Sequence, residues 1–271
     1  MTKKAIFIDI DGTLLPFGSL FVPESAKKAI QEARKKGHLV FINTGRCRFE
    51  IDSNITDIGF DGLICSNSMY IEEENGKTLH NEELSPLLVK KIGDWLEANE
   101  MGFFFEGQKV VCAHPSFFEQ LAKAEGQETV DTMQKQFPVI KNAPLTYEGI
   151  AKVNFIPKSN EWIDKAREYL GDDVQINAWS LLGSDMCMVE ITALEADKAN
   201  GVKFMLERFG IDRRSSYTFG DTMGDFGMTA YAACGVAMGN ASESLKAVAD
   251  YVTDDVDKDG LYNAFDKLGL I

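Results

Sequence analysis

Four acids carry the chemistry this chain could do. Asp9 and Asp11 close an apolar run, KAIFIDIDGTLL, near the front, and Asp221 and Asp225 stand four apart in FGDTMGD towards the other end. Thr44 in INTGR and Lys198, shortly after VEIT, complete the set. Two acids at i and i+2 of a strand share one face, and where that strand leaves a parallel sheet they point into the crevice in which open α/β folds bind ligands. Like charges at about 4 Å and an effective dielectric of about 20 repel by about 4 kcal/mol per pair, so four carboxylates in one crevice call for protons or a divalent cation. All-oxygen ligands select a hard ion, Mg2+ being the usual one beside phosphate. No His or Cys lies next to these acids in sequence, which speaks against zinc. With two carboxylates on one strand, one can attack phosphorus and the other can move protons, while a metal and a placed cation stabilise the spreading negative charge. Lys198 is a candidate for that cation, at a helix start where the dipole disfavours it. Plainer readings stand beside these: an acidic turn after a core strand, an ordinary strand-end threonine, a solvated lysine.

The elements that must position these residues alternate strand and helix. Ala5 to Ile8 has the composition of a strand buried on both faces. A helix from Pro23 to Lys36, ended by Gly37, leads to a strand at Leu39 to Ile42 and INTGR. A weaker helix is expected over Phe49 to Ile58, a third buried strand at Gly62 to Cys65, and a hairpin about Asn75-Gly76. From Leu84 the rhythm is lost and strands and helices mix through Ile191. Alternation returns with a helix at Lys198 to Phe209, a strand ending in Gly220-Asp221, and a strand–helix tail. The expectation is an α/β fold: a Rossmann-like parallel-sheet core built from residues 1–83 and 192–271, with an inserted α+β domain at 84–191.

Composition narrows the function. The 271 residues hold 45% hydrophobic residues, enough for a full core, and no apolar run nears the ~20 needed to span a bilayer. A net charge of -14 argues against nucleic acid or an anionic membrane as partner. Five scattered cysteines show neither zinc spacing nor a disulfide framework, and an N-terminus that enters a strand at once leaves no room for a signal peptide; both suit the cytoplasm.

FIDIDGT, INTGR, the Lys198 region and GDTMGD occur in the order of the four motifs of the haloacid dehalogenase superfamily. The tail GVAMGNASESLKAVADYVTDDVDKDGL resembles its Cof-type branch, whose members hydrolyse sugar phosphates and related metabolites. The middle of the chain fits in size and position as that branch's large α/β cap. The resemblance implies that Asp9 is the nucleophile and a Mg2+ ligand, and that Asp11 is the general acid/base with its carbonyl on the metal. It implies that Thr44 holds the phosphoryl group, that Lys198 bridges phosphate and nucleophile, and that Asp221 and Asp225 bind the metal, the latter directly or through water. Backbone amides near Gly12 and Gly45 would assist with phosphate. Two departures stand out: the family's usual PKG segment before the lysine is Ala193, Leu194 and Glu195 here, and Gly224 stands where the fourth motif usually has Asn.

The expected activity is a phosphomonoesterase on a small phosphorylated metabolite, a sugar phosphate first, with the insert closing over the site and setting specificity. Alternatives are a phosphomutase of the same superfamily, which passes the phosphoryl group to a second position of a sugar, and a non-catalytic phospho-ligand binder, for which Gly224 speaks. Oligomeric state is open. His38, His80 and His114 are expected to pack or face solvent, Phe103, Phe104, Phe105 and Trp179 to be core, Glu72 to Glu74 to be a solvated hairpin edge, and Arg46 to lie at the site's mouth or on the surface.

Overall fold

The structure is a computed structural model. It describes residues 2–136, 138, 140–180 and 187–271, with backbone only at 136, 179, 180 and 187. The side chain of Trp179, expected in the core, lies outside the described residues, as does Met186. In chain order the strands are β1 (Ala5–Ile8), β2 (Leu39–Asn43), β3 (Gly62–Cys65), β4 (Tyr70–Glu73), β5 (Thr78–Asn81), β6 (Phe103–Glu106), β7 (Val111–Ala113), β8 (Lys152–Phe155), β9 (Gln175–Ser180), β10 (Cys187–Thr192), β11 (Ser216–Gly220), β12 (Cys234–Ala237) and β13 (Tyr251–Val252).

The chain divides into two compact units. One comprises Met1–Arg46, Ile51–Asn81 and Asp197–Ile271; the other comprises Cys47–Glu50 and Glu82–Ala196. The first holds an eight-stranded sheet in the order β13-β12-β11-β1-β2-β3-β4-β5. It is parallel from β13 to β3, and the β4–β5 hairpin adds an antiparallel edge. Strand alternation explains why Ala5 to Ile8 carries no polar residue. Ile6 and Ile8 pack with Ala26, Ala29 and Ile30 of the helix Glu24–Lys35 and with Phe265. Ala5 and Phe7 pack on the other face with Val202, Met205 and Leu206 of the helix Lys198–Phe209. β1 thus lies in mid-sheet, and beyond Ile8 the chain emerges between β2 and β11.

The second unit is an inserted antiparallel sheet, ordered β7-β6-β8-β10-β9. Phe103, Phe105, Val153, Phe155, Val189 and Ile191 pack on the helices Pro86–Ala98 and Glu161–Leu170. On the opposite face Phe104 and Met188 pack with Phe117 and Leu121 of the helix Ser116–Glu125. The three consecutive phenylalanines are therefore core.

Some local expectations give way. The helix expected over Phe49 to Ile58 is broken into a 3-10 turn, Arg48–Glu50, and a single helical turn, Ser53–Thr56. Asp52 causes the break: its side chain accepts from Asn54 N and starts a new helix. Glu72 is not on a solvated edge. It is buried and takes a 2.9 Å hydrogen bond from Tyr70 Oη, while its neighbours Glu73 and Glu74 pair with Arg208 and Arg34. His38 is buried with Nδ1 accepting from Lys4 N, and burial pushes its pKa down. His114 stacks on Phe103. Cys112 and Cys234 are free thiols. Among the described residues no helix is long and apolar enough to cross a membrane.

Candidate active site

β1 hands its acids to a tight turn. Asp9 N donates to Phe219 O of β11 at 3.0 Å, and Gly12 N donates to Leu15 O at 2.9 Å, folding the chain back after Asp11. Gly12 has φ +79°, and a Cβ there would lie 2.1 Å from Asp221 Oδ2. Only glycine serves this position, on both conformational and steric grounds. Thr13 Oγ1 donates to Asp221 Oδ1 at 3.2 Å, so the first turn seats the acid from β11. Asn240 Nδ2 holds Gly12 O at 2.9 Å, tying the turn to the C-terminal region.

Lys198 is the hub. Its ammonium lies 2.7 Å from Asp9 Oδ1 and 2.6 Å from Asp225 Oδ1, with all three side chains buried. The helix it opens is placed by three further residues. Asp197 caps it, accepting from Ala199 N at 2.8 Å. Ser68 Oγ donates to Asp197 O at 2.7 Å and accepts from Gly201 N at 2.8 Å. Asn43 Nδ2 donates to Lys198 O at 2.9 Å. Ser68 reaches the helix because Ser66, Asn67 and Ser68 all hold positive φ, at 50°, 52° and 82°. Such backbone persists in non-glycine residues only where the surroundings enforce it.

Asp225 is fully buried and already committed. Its Oδ2 accepts from Asp221 N and Thr222 N, each at 3.0 Å, while Oδ1 faces Lys198. Gly220 permits this, since a Cβ there would lie 2.4 Å from Asp225 Cβ. At Gly224, by contrast, a Cβ would meet only Thr222 Oγ1 at 3.4 Å, so the place of the usual Asn stands open.

Asp11 points away from this cluster. Arg46 grips both its oxygens, Nε to Oδ2 at 2.8 Å and Nη2 to Oδ1 at 2.5 Å, a bidentate pair of the kind that fixes a carboxylate's plane. Arg46 thus contacts one of the candidate site residues rather than standing free on the surface. Thr44, at the end of β2, is buried, and its Oγ1 accepts from Arg46 N at 3.2 Å. Gly45 follows it against Asn67, whose Oδ1 would lie 3.3 Å from a Cβ.

The electrostatics ask for a cation. Burial, then the neighbouring acids working against Lys198, push Asp9 up to about 7. Burial, then Asp9 and Asp225, push Asp221 up to about 8. Burial alone would lower the Lys198 pKa, yet Asp225 and Asp9 raise it well above the ordinary value. Asp9, Asp221 and Asp225 each present an oxygen within 4.8 Å of the others. That donor set suits a hard divalent ion, which would relieve the repulsion that raises these pKa values. A pH dependence results. Asp9 and Asp221 have folded pKa values above the ordinary 3.8, so the stability they contribute is present below about pH 4 and lost as pH rises through about 7 to 8. A bound divalent cation offsets that loss. The gain in Tm from millimolar Mg2+ should therefore grow between about pH 5 and about pH 8; thermal melts showing a flat or shrinking gain would remove the metal from this site.

Known proteins bear on this site. The profile of the haloacid dehalogenase-like hydrolases matches residues 6–265. YkrA of Bacillus subtilis (strain 168) is 29% identical over 277 residues, covering 100% of both chains. The pyridoxal phosphate phosphatase YbhA of Escherichia coli (strain K12) is 27% identical over 278 residues, covering 96% of this chain and 97% of its own. Among solved structures, the subclass IIB sugar phosphatase BT4131 superposes with a TM-score of 0.82 at 26% identity, covering 99% of this chain and all of its own.

Proposed function

The chain belongs to the haloacid dehalogenase-like hydrolase family as one of its phosphatases, and from that membership we propose a Mg2+-dependent phosphomonoesterase that works through a phosphorylated Asp9. The observation that carries the reading is the buried Lys198 ammonium held between Asp9 and Asp225. It restrains the attacking carboxylate and keeps positive charge where phosphoryl oxygens must arrive.

Asp9 attacks phosphorus and the bond to the leaving oxygen breaks. Asp11, as the acid, protonates that oxygen, so that a neutral alcohol departs. Asp11, now a carboxylate, takes a proton from water as the water attacks the phosphoaspartate, releasing inorganic phosphate and restoring Asp9. Arg46 keeps the Asp11 carboxylate in one orientation for the second step, in which it takes the proton. The Thr44 hydroxyl binds a phosphoryl oxygen, whereas Gly12 N is already given to Leu15 O and Arg46 N to Thr44 Oγ1. Asp9, Asp221 and the Asp11 carbonyl are the groups we assign to Mg2+; Asp225, both oxygens already engaged, would hold it only through water. When bound, Mg2+ supplies positive charge that draws the phosphoryl group in and lets the acids stay ionised. Gly224 leaves that arrangement without an amide from the fourth motif.

The substrate class we favour is a small sugar or polyol phosphate. Incubation with Mg2+ and an aryl phosphate should release phosphate, and a chelator should lower the rate by roughly 100-fold or more. Hydrolysis indifferent to the chelator would refute the metal-dependent route.

A further inference from the structure

The first turn of the helix Lys198–Phe209 holds a side chain from elsewhere in the chain. In an unbroken helix Gly201 N would donate to the carbonyl four residues back, Asp197 O. Here the Ser68 hydroxyl stands between the two, accepting from Gly201 N at 2.8 Å and donating to Asp197 O at 2.7 Å. Asn200 N reaches Asp197 O at 3.0 Å, the tighter bond of a 3-10 turn. A group inserted into the hydrogen-bond ladder opens a helical turn and tilts the residues in it. Lys198 is the first of those residues.

Two unfavourable local choices meet at this hydroxyl. Gly201 is buried inside the helix, where glycine is less stable than alanine. Close approach explains it: a Cβ there would overlap Ile64 Cγ2 and lie 2.7 Å from Ser68 Oγ. Ser68 itself holds φ 82°, at the end of a turn in which Ser66 and Asn67 hold 50° and 52°. Non-glycine residues take such backbone only under constraint, and strain of this kind points to a function. The turn is also fastened to the end of β2. Asn67 N donates to Thr44 O at 3.1 Å, and Ser66 N donates to Arg46 O at 2.8 Å. It therefore joins the strand end that carries Thr44 to the helix that carries Lys198.

We propose that Ser68 and Gly201 are an interlocked pair of positioning residues: the hydroxyl wedged against the glycine sets the opening of the first helical turn and, through it, the reach of Lys198. The ammonium must arrive 2.7 Å from Asp9 Oδ1 and 2.6 Å from Asp225 Oδ1, distances that leave little slack. Neither member of the pair touches the reacting atoms. Its effect on turnover rests on the phosphatase reading; its hold on Lys198 does not. The two residues depend on each other. Gly201→Ala drives a methyl group into the hydroxyl and forces the helix away from the turn. Ser68→Gly removes the hydroxyl and relaxes the backbone, so that Gly201 N can close on Asp197 O. With both changes the added methyl meets Ile64 alone.

The test is a double-mutant cycle of wild type, Ser68→Gly, Gly201→Ala and the double variant, with two readouts. On an aryl phosphate, Gly201→Ala should lower kcat by about tenfold or more with a much smaller change in KM. Ser68→Gly alone should lower it by about threefold, and the double variant should recover most of what Gly201→Ala loses. The second readout is acetylation by acetic anhydride, followed by peptide mass spectrometry. Lys198, buried and doubly paired, should react slowly in wild type, faster in Gly201→Ala, and slowly again in the double variant. Lys152, buried in the other unit, reports general loosening and should stay unchanged. Losses that multiply in the double variant overturn the pairing, as does a Lys198 reactivity that rises only in step with that of Lys152. If Gly201→Ala does not fold, recovery of a folded protein on adding Ser68→Gly supports the interlock, and its failure to recover overturns it. A wild type that hydrolyses no ester overturns the phosphatase reading, and acetylation then decides the pair by itself.

Discussion

Asp9→Asn should reduce phosphate release by roughly 10^4-fold or more, because it removes the attacking oxygen while keeping the side chain's size. The more telling measurement is covalent. Wild type, quenched in acid during turnover with a radiolabelled phosphate ester, should carry label on the protein, and Asp9→Asn should carry none. The fold should survive, since the amide can still accept a hydrogen bond from Lys198 and one of three crowded acids has gone. Label retained in the variant would place the nucleophile elsewhere and end the proposed chemistry.

Lys198→Met should lose about 10^3-fold in kcat and also destabilise the fold, by about 3–5 kcal/mol where the acids are ionised. The reason is visible in the pairing: without the ammonium, Asp9 and Asp225 face each other in a site that is nearly closed to water. The sign with pH is fixed by the same logic. Removing the cation raises the acids' folded pKa values further, so the stability they contribute is kept at low pH and lost as pH rises. Urea unfolding near pH 5 and near pH 8 should therefore show a larger deficit at the higher pH. Lys198→Arg should not rescue activity, because a planar fork does not fit a gap made for a point charge held 2.7 and 2.6 Å from single oxygens. A pH-independent deficit would mean that the lysine acts through packing alone.

Much of this site is legible in the sequence for a physical reason. The acids end strands whose apolar runs announce themselves, and parallel strands bring their ends to one edge. The α/β core with its inserted antiparallel unit is read from the same rhythm and its interruption. What stays hidden is everything that acts across long sequence separations without a distinctive type. Ser68 looks like any loop serine, yet it reaches Asp197 and Gly201 through three successive positive-φ residues. Asn43 lies inside INTGR, but its bond to Lys198 O spans 155 positions. Arg46 could not be told from a surface arginine until the turn after β1 brought Asp11 within its reach. Glu72 misleads because two neighbouring acids make it look solvated, whereas strand geometry buries it.

The place of β1 in mid-sheet also bears on how the molecule is made. One of its neighbours, β2, comes soon after it in the chain, but the other, β11, pairs Ile8 with Phe219. At about 5–20 residues per second, the ribosome needs roughly 10–40 s to deliver that partner after β1 has emerged. For that interval one edge of a fully buried apolar strand has no native neighbour, while the inserted unit, contiguous from Glu82 to Ala196 except for four residues, is synthesised in full. The strand that leads into Asp9 is thus open to chaperones, and to mispairing, for much of synthesis.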